Sequence, residues 1–488
     1  MTHLATSVVW SPIRPCHRWL GIVLCLLFAS WFGSGAVLLF VPFPSLNQRD
    51  QIAHAPQLDP ETIRRTPVQA LASVNATPVS IRLVQRLDGP IYVVRDKGGR
   101  LHVVAASDGV LDPITPTYAA AIAAAFARQS VDSVSGPVQD DQWTVHQRFD
   151  PWRPFYRVTM SDTSKTQLYV SAQTGEVVQR TTLWQRRWNW VGAVTHWIYP
   201  TVLRRHWMAW NRVVWLLSLT ATLTVFTGIA LGLHHSVRRY RDGKGGWSGY
   251  RGWMRWHHGL GLLGSIVLVP WITSGWLSMD HGLLFSTSEV IPRANANYQG
   301  DTLQHAAALW GLDRVRTLGP ANEIRFESVA GRALAQVDRP NDMVVIEAGT
   351  NDRYHEASAA LVIAGVRHGW PGRNIVGIDR PLSSDLYVAA ESLPDGVRRV
   401  VLGGQDPLWL YVDRGGVILA ALDRSRRLYD GVFYAVHTLH FPFLSTSPRL
   451  HAGITLLTLI VGLVMSMTGL IVGVLGLRRR RRSVKNEG

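Results

Sequence analysis

Long apolar stretches alternate with polar segments along the chain. Residues 19–41, 213–235, 257–280 and 451–477 are apolar almost throughout. A helix needs about 20 residues to cross about 30 Å of hydrocarbon, and each of these stretches is long enough. They predict four transmembrane helices. The first is longer than the apolar part of a signal peptide and lacks a small-residue cleavage pattern after it, so we expect it to be retained.

The polar segments between these helices combine strand and helix patterns. In residues 42–212, strands are predicted at 91–94, 101–104, 143–149, 155–160 and 167–171, and a helix at 117–129. In residues 281–450, strands are predicted at 385–390, 399–402, 408–412 and 417–422, and a helix at 301–312. Such patterns are typical of α+β domains. The predicted fold class is an integral membrane α-helical protein with four transmembrane helices, an internal duplication and two extracytoplasmic α+β domains.

The duplication is predicted by two sets of recurring residues. His17, Leu20, Gly21, Trp31, Ser34 and Gly35 recur 240 positions later as His257, Leu260, Gly261, Trp271, Ser274 and Gly275. His196, Thr227, Gly228 and Gly232 recur 241 positions later as His437, Thr468, Gly469 and Gly473. A shift this constant indicates a tandem repeat of about half the chain.

Charge predicts how the chain is oriented. The net charge is +16, and most of the excess lies in the N-terminus 1–18, the loop 236–256 and the tail 478–488. Basic residues concentrate on the cytoplasmic side of membrane proteins. Both termini and the loop are therefore predicted to be cytoplasmic and the α+β domains periplasmic, in a bacterial inner membrane. The lipid bilayer accounts for this charge, and we expect no nucleic-acid partner.

Several kinds of site are not indicated. The two cysteines, Cys16 and Cys25, fall at or inside the first helix, so they predict no disulfide framework and no zinc site. There is no dinucleotide-binding fingerprint, and Gly243–Gly246 is too short for a phosphate loop. No Ser/His/Asp arrangement or metalloprotease motif is present either. Covalent catalysis is therefore not expected.

Histidines are the residues with chemical potential, and they occur at two depths. The cytoplasmic set is His17, His234, His235, His257 and His258, and the outer set is His196, His206, His281, His437, His440 and His451. Isolated histidines at helix ends usually contact lipid headgroups. Histidines paired by a repeat suit haem iron, because bis-histidine ligation takes one imidazole from each of two facing helices.

Two parallel repeats are related by an axis along the membrane normal, so equivalent residues lie at equal depth across it. His17 with His257 and His196 with His437 are the predicted haem-iron ligands, for one or two haem b groups. His440, on the same helix face as His437, and His451 and His258 are further candidate ligands. Helix-end caps and ligation both remain open for His234, His235 and His281. The mid-helix pairs Ser34-Gly35, Thr227-Gly228, Ser274-Gly275 and Thr468-Gly469 fit either close helix packing or room for a flat cofactor.

Three motifs resemble the PepSY-associated transmembrane-helix family. They lie in His17–Gly21, Leu168–Val177 and Leu428–His440. The chain departs from the family pattern where the turn before Glu176 lacks its usual aspartate and where residues 196–199 keep one of two histidines. The resemblance implies an inner-membrane ferrisiderophore reductase that carries haem b and passes electrons to iron chelates outside.

The expected function is one-electron transfer to a periplasmic ferric siderophore or another iron chelate, although the sequence leaves open whether the protein is an enzyme. The electron donor would be separate, for example a quinol, a flavodoxin or a cytoplasmic reductase, because the chain has no nucleotide motif. The alternative is a non-haem, membrane-anchored sensor or regulatory binding module. A transporter with substrate between the repeats is disfavoured, because polar groups at mid-membrane are sparse.

Overall fold

The computed structural model describes residues 2–108, 111–246, 248–282, 284–285, 290–350 and 352–486. Its helices are α1 (Thr2–Phe40), α2 (Gln48–His54), α3 (Pro67–Ala72), α4 (Pro116–Ala127), α5 (Leu183–Asn189), α6 (Thr201–Arg204), α7 (Trp207–Arg241), α8 (Trp253–Leu277), α9 (Pro292–Gln299), α10 (Leu303–Ala308), α11 (Leu312–Thr317), α12 (Ala359–Gly369), α13 (Leu386–Ala390), α14 (Arg424–Asp430), α15 (Pro442–Ser445) and α16 (Pro448–Asn486). Short 3-10 helices cover Pro60–Thr62 and Gln147–Trp152, and π-helical turns cover Trp190–Val194 and Gly431–His437.

The strands are β1 (Pro78–Arg86), β2 (Gly89–Asp96), β3 (Leu101–Ala105), β4 (Val131–Val138), β5 (Phe155–Met160), β6 (Gln167–Ser171), β7 (Val177–Thr181), β8 (Glu323–Val329), β9 (Arg332–Asp338), β10 (Met343–Glu347), β11 (Arg353–Tyr354), β12 (Ile375–Asp379), β13 (Arg398–Leu402), β14 (Leu408–Val412) and β15 (Ile418–Leu422). The chain forms two compact units. The helix unit comprises Met1–Phe43, Arg187–Phe285 and Arg427–Gly488, and the sheet unit comprises Pro44–Arg186 and Ser286–Arg426.

Among the described residues of the helix unit, four helices are long and apolar enough to cross a membrane, as the hydropathy pattern predicts. The candidate spans are Pro12–Phe40, Trp207–Arg241, Trp253–Leu277 and Pro448–Arg478. Helix α1 packs on α16 and α7, and α8 packs on α7 and α16. Leu24, Phe28, Ala221, Leu268 and Leu459 are among the buried residues between these helices. Apolar side chains therefore hold the bundle together as well as facing lipid.

Two of these helices extend well beyond the apolar stretches. Helix α1 begins at Thr2 and α16 continues to Asn486, into the basic tail, whose last residues 487–488 lie outside the described residues. Hydropathy marks only the part of a helix that suits hydrocarbon, and arginine and lysine are good helix formers. His17 consequently lies inside α1 rather than at its beginning.

The sheet unit is built from three antiparallel sheets. A seven-stranded sheet has the order β11-β10-β9-β8-β1-β2-β3, and two four-stranded sheets have the orders β4-β5-β6-β7 and β12-β13-β14-β15. Helix α4 packs on the first four-stranded sheet through Ala119, Ala123 and Phe126. Helices and sheets thus share their apolar faces, as an α+β pattern predicts.

The seven-stranded sheet joins the two segments that the sequence assigns to separate domains. Strand β1, from the first segment, pairs antiparallel with β8, from the second, and places Arg82 opposite Arg325. The two segments therefore share one sheet and one compact unit. Pairing between strands so far apart in sequence leaves no local periodic signal, so it could not be predicted.

Several local predictions are confirmed, and three differ. The hairpin of β2 and β3, helix α4 and strands β5, β6 and β13 to β15 form where expected. Residues 385–390 were expected as a strand, but they form α13, because the Asp385 side chain accepts hydrogen bonds from the backbone N–H groups of Tyr387 and Val388 and caps a helix. Residues 143–149 form a turn and a 3-10 helix, and residues 301–312 are divided between α10 and α11.

A half-buried carboxyl group on β8 is expected to make the stability of the sheet unit depend on pH. Burial raises the pKa of Glu327 to about 8; the charge of Arg325 opposes this rise, and that of Asp413 adds to it. The folded protein thus keeps a proton that the unfolded chain loses near its ordinary pKa of 4.5. The contribution of Glu327 to stability therefore becomes less favourable as the pH rises from 4.5 to about 8.

Glu327→Gln should remove this penalty. We expect its thermal unfolding midpoint near pH 8.5 to rise by about 2 °C or more, the effect of about 1 kcal/mol in a unit of this size. The gain should fade towards pH 4.5. Thermal unfolding followed by circular dichroism across this range measures the shift, and Glu61→Gln, at an exposed carboxyl, is the control. Equal midpoints for Glu327→Gln and the unaltered protein near pH 8.5 would contradict the prediction.

Candidate functional site

The His17 ring on α1 is held by two groups of α7. Its Nδ1 lies 3.1 Å from the backbone oxygen of Thr224 and 3.2 Å from Oγ1 of Thr227. A carbonyl oxygen can only accept, so Nδ1 carries the proton and donates it. A Cβ atom added at Gly228 would come within 2.6 Å of the ring carbon Cε1. We call the hydroxyl residue and the glycine after it a cradle.

The His257 ring on α8 lies in the equivalent cradle on α16. Its Nδ1 is 3.2 Å from Oγ1 of Thr468, and a Cβ at Gly469 would lie 3.1 Å from its Cε1. The Thr468 hydroxyl donates its own hydrogen to the backbone oxygen of Met465 at 2.7 Å. It can therefore only accept from His257, which places the ring proton on Nδ1 here as well.

His196 lies in a third cradle, on α1. Its Nδ1 is 3.1 Å from both the backbone oxygen of Trp31 and Oγ of Ser34. The Ser34 hydroxyl donates back to the Trp31 oxygen, as the threonine hydroxyl does in the cradle of His257. A Cβ at Gly35 would lie 3.5 Å from Cε1 of His196.

His437 completes the set, in a cradle on α8. Its Nδ1 is 3.1 Å from the backbone oxygen of Trp271 and 3.4 Å from Oγ of Ser274. A Cβ at Gly275 would lie 2.9 Å from its Cε1. In all four cradles the Nδ1 proton is used within the protein, so the lone pair that can bind a metal lies on Nε2.

The segments that carry His196 and His437 share an unusual backbone. A π-helical turn, Trp190–Val194, precedes His196, and another, Gly431–His437, ends at His437. Two residues after each histidine, Ile198 and Leu439 adopt left-handed conformations with φ of 49° and 55°. Both features are costly for ordinary residues, and both are often found at functional sites. Because both features occur beside His196 and again beside His437, we infer that the positions of these two imidazole rings are important for function.

The rings of His196 and His437 lie at a chemically informative distance from each other. Their centres are 6.4 Å apart, and their planes are inclined by 53°. Two imidazoles that bind one metal ion from opposite sides, each through a bond of about 2 Å, have ring centres about 6 Å apart. The His437 ring also stacks on Phe433, with centres 5.5 Å apart. The spacing would thus suit two histidine ligands of one metal ion.

The other pair, His17 and His257, lines a partly open cavity of about 490 Å³ between α1, α7, α8 and α16. Cofactor and ligand sites measure about 300–1,000 Å³. Phe28, Phe32 and Leu268 contribute apolar walls. His258, the third predicted ligand on this side, also lines the cavity, but its Nε2 lies 3.2 Å from the backbone oxygen of Gly232. His258 is therefore less suited to ligation through Nε2.

His440 and His451 lie together rather than opposite one another. Their ring centres are 4.4 Å apart, closer than two opposed ligands of one metal. Nε2 of His451 lies 2.8 Å from the backbone oxygen of Thr438. Trp210, which lies 241 positions before His451, donates a similar bond to the backbone oxygen of Trp197, which lies 241 positions before Thr438. The hydrogen bond and the packing at this position therefore account for His451 without a metal. Ligation by His440 or His451 stays a prediction.

The remaining membrane-side histidines have other surroundings. His281 hydrogen-bonds to Asn211 and packs on Trp215, His206 is the residue before α7, and His235 stacks on Tyr250 with ring centres 4.2 Å apart. In the part of the chain that the structure describes, no three His, Cys, Asp or Glu side chains are grouped to hold a metal ion. Candidate ligands therefore occur as pairs.

Sequence reasoning identified the histidines but not the residues that hold them. The signal was present, because each Ser-Gly or Thr-Gly pair recurs with the same offset as its histidine. Which histidine contacts which Ser-Gly or Thr-Gly pair depends on helix packing.

The aromatic surroundings of Arg204 also had no recognisable signal in the sequence. Its guanidinium carbon lies 4.7–5.2 Å from three aromatic ring centres.

Four membrane-length helices with histidines held in pairs define a multi-pass membrane protein with a candidate cofactor site inside its bundle. The chain belongs to the family described as the PepSY-associated TM region, whose model matches residues 14–478. This confirms the resemblance seen in the sequence. The match includes all four cradles. No curated protein matches the chain.

Proposed function

We propose that the protein is an inner-membrane haem b protein that passes electrons across the membrane to a periplasmic ferric chelate. The observation that carries this proposal is the His196–His437 pair. Its ring centres are 6.4 Å apart, and both Nδ1 atoms are occupied by hydrogen bonds. This arrangement supports ligation of one iron by two Nε2 atoms.

The proposed ligand sets are His196 with His437 for one haem and His17 with His257 for a second. Haem b, when bound, supplies reversible one-electron transfer. The cradles orient each imidazole, and a hydrogen bond from Nδ1–H to an oxygen makes the ring a more basic ligand. Apolar side chains make up most of the walls of the cavity at His17 and His257. The protein's contribution is therefore ligation, orientation and a largely apolar environment.

The overall reaction is the reduction of a ferric chelate, such as a ferric siderophore, by one electron to the ferrous chelate. A quinol donor would release two electrons and two protons and so reduce two chelates. A cytoplasmic reductase or flavodoxin could instead deliver single electrons. Residues 17 and 34 are separated along α1 by about 25 Å of helix, so the two levels of cradles lie far enough apart to link both sides of a bilayer.

The proposal includes the orientation and origin of the chain. Basic residues support cytoplasmic termini and a cytoplasmic loop at 236–256, with the sheet segments in the periplasm. The four equivalent cradles, and the π-helical turns 241 residues apart, support a tandem duplication. In this interpretation each half contributes one ligand to each haem.

The test is the absorption spectrum of the purified protein. After haem-replete expression and detergent purification, we expect one to two haem groups per chain by the pyridine haemochrome assay. Reduction with dithionite should sharpen the Soret band and give the split α and β bands of low-spin haem. Anaerobic addition of a ferric chelate should reoxidise the protein and release one ferrous ion per haem. Haem content near zero would overturn the proposal and favour the sensor or binding module.

A further inference from the structure

The cavity that His17 and His257 line has charge of one sign only. Its described lining includes the cations Arg14 and Arg18 and contains no aspartate or glutamate. The walls are otherwise mainly apolar side chains and glycines. A ligand that complements this cavity has an apolar body and an acidic edge.

The two arginines share one helix face with a cradled histidine. His17 and Arg18 follow Arg14 by three and four residues on α1, which places all three on one side of the helix. Among the described residues, no carboxylate forms an ion pair with either arginine. Arg18 passes close to α16, since its Nη2 is 3.4 Å from the position of a Cβ at Gly476. Both guanidinium groups are thus available to an anion at the cavity.

A second observation points to a polar ligand group at this end. His235 lines the same cavity and stacks on Tyr250. Its Nε2 is buried and has no hydrogen-bond partner in the described part of the chain. A buried nitrogen without a partner is unfavourable, and a ligand oxygen would satisfy it.

We propose that Arg14, Arg18 and His235 bind the carboxylate groups of the flat ligand held between His17 and His257. This rests on the proposed function, because haem b carries two propionate groups on one edge. Arginine pairs with carboxylates through charge-assisted, often bidentate hydrogen bonds. Two carboxylates left unpaired beside a bilayer would oppose binding. The three residues therefore fix which edge of the cofactor faces the basic end of α1.

The test compares haem b with its dimethyl ester, in which both carboxylates are blocked. The full-length His437→Ala variant isolates the His17–His257 site, and protein made in haem-deficient cells is titrated with each compound while the Soret band is recorded. We expect haem b to bind about tenfold or more tightly than the ester. Arg14→Gln/Arg18→Gln should abolish that preference by weakening haem b binding alone.

The matched control is Arg238→Gln/Arg241→Gln. It removes two positive charges from exposed positions of α7 that do not line the cavity, and it should keep the preference. His235→Phe retains a ring to stack on Tyr250 and should weaken haem b binding several-fold without affecting the ester. Because this variant keeps both arginines, it gives a second test if the arginine variant inserts poorly.

The outcomes separate this inference from the proposed function. Equal binding of haem b and its ester, or a preference that survives Arg14→Gln/Arg18→Gln, would overturn the carboxylate role while haem binding stands. Binding of neither compound, together with an unaltered protein free of haem, would overturn the proposed function itself. A preference lost equally in the Arg238→Gln/Arg241→Gln control would show that general charge rather than these arginines is responsible.

Discussion

Replacing His437 by alanine is expected to remove haem from the His196–His437 pair and to leave the His17–His257 pair loaded. Haem per chain should therefore fall by about half. The variant loses one of the two proposed ligands, and the Trp271 carbonyl and Phe433 ring lose their contacts with it. The pyridine haemochrome assay gives the ratio, and redox titration of the α band should show one component lost. Transfer to an external ferric chelate should fall at least tenfold, because the remaining pair lies at the other level of the bundle.

Two variants make this result specific. His440→Ala should keep both haem groups, because His440 lies beside His451 and not in a cradle. His355→Ala alters an exposed histidine of the sheet unit and should change nothing. Full haem content in His437→Ala combined with loss in His440→Ala would transfer the ligand role to His440. Full content in both variants would remove this helix end from the proposed site.

The membrane helices were predictable because their signal is local and strong. An apolar run of about 20 residues has few alternatives to a membrane helix. The ends were not predictable, because α1 and α16 continue through basic residues that favour helix as much as apolar ones do. Hydropathy therefore located the spans correctly but placed His17 at a helix end.

The cradles show what the sequence could and could not predict at the site. The constant offset singled out His196 and His437 as partners, and the structure places their ring centres 6.4 Å apart. The role of Ser34-Gly35 could not be chosen from sequence, because it depends on a contact with a residue more than 160 positions away. In the structure these small residues permit the close approach of a histidine ring.

The sheet unit was the least predictable part, for a related reason. Alternation within a segment predicts single strands such as β5 and β14, and it did so correctly. The pairing of β1 with β8 involves two strands separated by more than 200 residues, and only their combined burial specifies it. A single carboxylate, Asp385, was enough to turn an apparent strand into α13.

Gly228→Ala should have an effect as large as removal of a ligand, although it alters neither a histidine nor a polar group. The added Cβ would lie 2.6 Å from Cε1 of His17, a distance that real Cβ atoms do not show. The ring must therefore shift, and we expect it to lose the hydrogen bonds to Thr224 and Thr227. We expect affinity for haem at the His17–His257 pair to fall about tenfold or more, as overpacking of a tight site usually costs.

The controls use the other glycines of the bundle. Gly275→Ala brings a Cβ within 2.9 Å of His437 and should impair the His196–His437 pair instead, whereas a Cβ at Gly33 meets nothing within 4 Å. Alanine favours helix over glycine, so unfolding of the helix would not explain a loss. Haem titrations of the three variants, with the two pairs distinguished in the His437→Ala and His17→Ala backgrounds, measure the effect. Equal haem binding by Gly228→Ala and Gly33→Ala would show that the cradle is a packing contact without influence on ligation. The histidines would then have to be positioned by some other part of the bundle.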